Sequence, residues 1–173
     1  MSVSMHQVSI PGTVRTLNSI IGIIDKAASH CEARKIDPSV MINFRLAADM
    51  FPFARNIQIM TDQAKGMAAQ LAGVEIPNYP NEETTFDELN ARIKKTVDYL
   101  NSFKPEQIDG TEDKDIVFKG NVVAMKFKGL GYVTTFVQPN VYFHAVTAYN
   151  ILRHLGVEIG KLDFLAHVDG QVL

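Results

Sequence analysis

Four stretches of the chain place apolar residues three and four apart, the spacing that lines one face of an α-helix. The first carries Val14, Leu17, Ile20, Ile21, Ile24, Ala27 and Ala28, and the pattern fades near residues 33–35. Pro11-Gly12 sits near its start, so the residues before it are expected to form a separate turn or a kinked first turn. Asp37-Pro38 offers an N-cap and then a proline at the first helical position, which opens a short helix over about 38–43. From Pro52 to Leu71, Phe53, Ile57, Met60, Ala64, Met67, Ala68 and Leu71 line one face, and Gly73 stands where a helix-ending glycine belongs. Residues 74–83 hold two prolines and two asparagines and read as a loop. Thr85-Phe86-Asp87-Glu88 then makes a capping box for a helix carrying Phe86, Leu89, Ile93, Val97 and Leu100, with Pro105 just past its end.

The period changes between residues 115 and 128. Two short β-rich runs flank Gly120-Asn121, and Met125-Lys126-Phe127-Lys128 alternates like a half-exposed strand, so a hairpin is predicted. Gly129 and Gly131 are read as the link from that strand to the last helix, which runs to Leu155 and contains Pro139 as a kink or as its first ordered turn. After Gly156-Val157 a tail is expected to pack back on the body. The fold class this defines is mainly all-α: one domain over 1–173, a bundle of four long helices with a small β-hairpin inserted before the last.

Composition narrows the function classes. A net charge of −2 and a pI near 6.2 give no basic face for nucleic acid. The longest apolar runs are about four residues, against the ~20 that span a bilayer, so no membrane association is expected. Cys31 is the single cysteine and has no disulfide partner; it reads as apolar filler near a helix end before it reads as a reactive thiol. The first residues lack the pattern of a signal peptide, and the expected compartment is cytoplasmic.

Candidate chemistry centres on His144. It shares a helix face with Asn140, Thr147 and Ile151, and is either a structural imidazole held by one hydrogen bond or a pocket acid, base or lone ligand. Arg55, Gln58 and Asp62 form a polar line on the second long helix, which either faces solvent or offers His144 an amide and a carboxylate. Tyr149 joins them as a pocket candidate. Arg45, Asp49 and Arg55 flank the Met50-Phe51-Pro52 bend, where they fix the bend by an ion pair or bind an anion. His6, His30 and His154 read as surface or helix-end residues, His167 lies in the tail, and Met50, Met60 and Met67 read as core. No phosphate loop, paired-cysteine zinc site, nucleophile elbow or His-Glu-x-x-His occurs.

The run Arg45-Leu46-Ala47 through Asp49-Met50-Phe51-Pro52, with Ala64-Lys65-Gly66, Leu71-Ala72-Gly73-Val74 and Glu83-Thr84-Thr85-Phe86, continues in the last helix. There Pro139-Asn140, Tyr142-Phe143-His144, Ala148-Tyr149, Leu152-Arg153 and Gly156-Val157 follow in order. Taken together these resemble a branch of the DinB-like superfamily classed as a domain of unknown function, over essentially the whole chain. The resemblance implies a DinB-type bundle, often a homodimer. The wider superfamily includes metal-dependent enzymes with three histidines, two of them four apart on the last helix, and some use low-molecular-weight thiols. Here the residue four beyond His144 is Ala148, and the second long helix has no histidine. His154 lies about 80° around the helix and about 15 Å along it from His144, so the two cannot share one ion.

The expectations are therefore a non-catalytic or small-ligand-binding bundle without metal or cofactor, homodimeric, with apolar Val133, Phe136 and Val137 as possible dimer surface. The alternatives are a metal- or thiol-dependent transferase with an atypical ligand set around His144, and an interaction protein that pairs through the hairpin edge.

Overall fold

The computed structural model describes residues 3–119 and 124–166. The first helix, α1, spans Met5–Arg34 and starts earlier than the position of Pro11 suggests. Ser4 and Gln7 form a capping box ahead of the proline, so Pro11 lies inside the helix and no separate turn precedes it. Helix α2, Pro38–Ile42, is capped by the Asp37 side chain on the Ser39 amide. Helix α3, Phe53–Ala72, ends at Gly73 in the left-handed conformation, and α4, Phe86–Asn101, opens on the Thr85–Glu88 capping box. A short α5, Pro105–Ile108, follows; the sequence pattern did not announce it.

Strands β1, Asp115–Lys119, and β2, Ala124–Lys128, pair antiparallel with Phe118 opposite Met125. The Gly120-Asn121 turn lies outside the described residues, as does His167. The segment read as a glycine linker is instead the start of the last helix. There α6, Gly129–Gly131, runs directly into a π-helical stretch, Tyr132–Val137, and on into α7, Gln138–His154. Glycine is required at 129 for a spatial reason: a Cβ there would stand 1.9 Å from the Thr111 carbonyl oxygen. In the π-helical stretch the Gln138 amide reaches back to the Val133 carbonyl. Thr134, Thr135 and Asn140 side chains take up the carbonyls of Leu130, Gly131 and Phe136.

The four long helices close into a ring in which α1 packs on α4, α4 on α3, α3 on α7 and α7 on α1. Leu17, Ile20, Ile24, Phe53, Ile57, Met60, Leu89, Ile93, Ala145 and Ile151 fill the centre. The tail returns to α1 as expected: α8, Lys161–Phe164, is pinned by an ion pair between Lys26 and Asp163 at 2.6 Å. Among the described residues no helix is long and apolar enough to cross a membrane.

Candidate functional site

Helices α3 and α7 bring His144 inside. It is 7 % exposed, and its Nδ1 lies 2.9 Å from Oδ1 of Asn56 on α3. The Asn56 amide nitrogen donates to the carbonyls of Phe51 and Pro52, which fixes Oδ1 toward the ring. An amide oxygen only accepts, so the ring's proton sits on Nδ1 and the Nε2 lone pair is left over. Burial, and then the nearby Arg55 guanidinium, hold the imidazole below its ordinary value, so it is neutral at pH 7.

Neither Gln58 nor Asp62 is the partner of His144. Asn56 lies on the apolar stripe of α3, whereas Asp62, six residues on, is about 120° around the helix and about 9 Å along it. Asp62 therefore turns away from α7, while Arg55 at the other end of the polar line stays near His144. Gln58 accepts from Arg55 at 3.2 Å and donates to Glu83 at 3.0 Å. Asp62 binds Lys65 and, at 2.8 Å, Arg92 of α4. Tyr149 is apart from all of these; its ring meets Phe164 of α8. Arg45 holds the bend through the Met50 carbonyl, where an ion pair was one expectation.

Arg92 organises the polar region and the sequence reading missed it. Its side chain is 2 % exposed. It donates to Thr61 Oγ1 at 2.7 Å, to the Pro80 carbonyl and Glu83 at 2.8 Å each, and to Asp62. The Tyr79 ring lies beneath three cations, with Lys95, Lys65 and Arg92 at 4.2, 4.4 and 5.6 Å from its centroid. This network fastens the 74–83 loop to α3 and α4.

Along the same side of α3, between that loop and β1, runs a groove of about 600 Å³. Its lining includes Arg55, Asp62, Lys65, Gly66, Ile76 and Tyr132. The hairpin is seated at its far end by Lys114, whose ammonium donates to the Gln70 and Leu71 carbonyls at the C-terminus of α3. Val133, Phe136 and Val137, read as possible dimer surface, are covered by the chain itself. Val133 and Val137 are buried, and Phe136 packs on Phe118, Phe127 and Tyr132.

This helix ring with a hairpin ahead of its last helix is the DinB-like fold. A crystal structure of a DinB family member protein from Shewanella denitrificans is similar over 97 % of this chain and 95 % of that one, with 33 % identity and a TM-score of 0.87. Residues 5–165 match the family described as "Domain of unknown function (DUF1993)", and the chain belongs to that family. No curated protein matches it. The superfamily's three-histidine metal set does not fit the residues present. His144 meets an amide across the interface, and among the described residues no group of three His, Cys, Asp or Glu side chains could hold a metal ion.

Proposed function

We propose that this chain is a non-catalytic, small-ligand-binding member of the DinB-like superfamily, and that its ligand lies in the groove along α3. The observation that carries this reading is the groove itself. At about 600 Å³ it falls in the size range of small-molecule sites, and it sets Ile59, Ile76, Val117 and Phe118 among charged and amide side chains. The groups that would otherwise do chemistry are already engaged: His144 Nδ1 by Asn56, and the Asp62 carboxylate by Arg92 and Lys65. A second reading, a metal- or thiol-dependent transferase centred on His144, draws on the Nε2 lone pair that the Nδ1–H tautomer leaves over. Its suggested ligand pair with Asp62 has no support in the geometry.

We also propose a homodimer formed through the outward face of α7, where Tyr142, Phe143 and Val146 are exposed and Phe143 reaches 62 %.

Native mass spectrometry of untagged protein, paired with a small-molecule NMR screen, tests the ligand reading. Bound molecules should perturb residues of α3, the 74–83 loop and β1, and His144→Ala should leave that binding in place. Binding abolished by His144→Ala, together with about one transition-metal ion per chain, would move the function to the imidazole.

A further inference from the structure

One residue lining the groove, Tyr132, carries a hydroxyl that the described residues do not use. Tyr132 opens the π-helical stretch, and its ring packs against Phe127 and Phe136 with only 2 % of the residue exposed. Among the described residues its hydroxyl has no hydrogen-bond partner. The oxygen is not among the sealed, unpaired polar atoms of the described residues, and Tyr132 is one of the residues that line the groove. Buried polar groups are almost always paired, so an unpartnered hydroxyl on a residue that lines a groove points to a partner from outside. Burial pushes its pKa up to about 12, which makes it a neutral donor at physiological pH.

Charge and shape in the groove point the same way. Among the described lining residues Asp62 is the one carboxylate, and it is engaged by Lys65 and Arg92. Arg55, which donates to the neutral Gln58 amide, and Lys119 remain as cations without a carboxylate among the described residues. Gly66 opens the wall between them. A Cβ there would meet nothing nearer than Ile76 Cδ1 at 4.0 Å, although glycine within a helix is less stable than alanine. Ile59, Ile76, Val117 and Phe118 supply apolar surface, and Gln63 and Gln70 add uncharged polar groups.

We propose that the groove binds an amphipathic organic anion, its acidic head on the Tyr132 hydroxyl in the field of Arg55 and Lys119, its apolar body along the Gly66–Ile76 wall. This rests on the groove being the ligand site; the charge and shape of the ligand are what it adds.

The test is an NMR titration of the full chain with octanoate, octyl phosphate and octanol. Both anions should shift the amides of Gly66, Val117, Phe118 and Tyr132, and should bind about tenfold or more tighter than octanol. Tyr132→Phe should weaken the anions about tenfold and leave octanol unchanged. Arg55→Gln should narrow the gap between the anions and octanol. Gly66→Leu should block all three compounds. If that variant does not fold, Ile76→Trp in the exposed loop closes the groove from its other wall. Octanol binding as tightly as the anions, or anion affinity indifferent to Tyr132→Phe, overturns the anionic assignment while leaving a ligand groove. No shift in these four amides with any compound overturns it as well, and the mass-spectrometric measurement then decides the broader reading alone.

Discussion

Asn56 and His144 complete one another across the α3–α7 contact: the imidazole donates to the amide oxygen at 2.9 Å, while the amide nitrogen holds the two carbonyls that end the bend before α3. The pair thus links the entry of one helix to the middle of another. Replacing Asn56 by alanine should leave the ring's Nδ1–H and the Phe51 carbonyl short of this partner, while the Pro52 carbonyl keeps the residue-56 backbone amide. The expected loss is about 2–3 kcal/mol in urea unfolding, with the folded circular dichroism spectrum retained.

Stability should also depend on pH through His144. The native state holds the ring neutral, whereas the unfolded chain protonates it near its ordinary 6.5. Below that value the unfolded chain binds more protons, so acidification favours unfolding. The contribution is full above pH 6.5 and declines as the pH falls toward the lowered native value. Denaturant midpoints across this window should drop with acidity in the wild type, and His144→Gln should remove that part of the slope. An unchanged slope in the variant would assign the effect to other groups.

Much of this arrangement was legible in the residues. The apolar stripes marked four long helices, Thr85 gave the start of α4 and Asp37 that of the short α2, and the β-rich runs located the hairpin. The partner of His144 was legible too, for Asn56 is the polar residue set into the stripe of Phe53, Ile57 and Met60. A polar side chain on an apolar face must find a partner inside. The line Arg55–Gln58–Asp62 drew attention instead because it is a run of polar groups, yet Gln58 reaches the loop and Asp62 reaches α4. Arg92 was hidden for another reason. Its partners Thr61, Asp62, Pro80 and Glu83 come from two other segments, and no local spacing encodes that convergence. Likewise the Gly129 constraint comes from Thr111, eighteen residues earlier in the chain, and the glycines alone read as a linker.

Arg92→Ala should be among the most damaging single changes. It would leave Glu83 without its buried cation and Asp62 with Lys65 alone, and free the 74–83 loop from its hold on α3 and α4. A loss of about 3–5 kcal/mol is expected in equilibrium unfolding, together with faster amide exchange in that loop. Arg92→Lys should recover only part, since one ammonium cannot reproduce the planar fork.

Two glycines should respond in opposite directions. Gly66→Ala adds a methyl into open space on α3 and should raise stability by about 0.5–1 kcal/mol. Gly129→Ala drives a methyl into the Thr111 carbonyl and should cost about 1–3 kcal/mol or more. Paired thermal melts read both signs in one experiment.

Light scattering at micromolar concentration should give twice the 19.2 kDa chain mass. Phe143→Glu and Val146→Glu together should halve it without unfolding the bundle. A wild-type mass of one chain would end the dimer proposal.

The π-helical stretch Tyr132–Val137 acts on the last helix as a change of phase. A wide turn accommodates one residue more than an α-turn, and one residue corresponds to about 100° of rotation. Deleting a single residue between 132 and 137 would restore an unbroken α-helix, but its two halves would then disagree. With α7 still presenting His144 to Asn56, Tyr132 would swing off the groove; with Tyr132 held in place, His144 would turn away from α3. The extra residue is what allows one continuous rod to serve both faces.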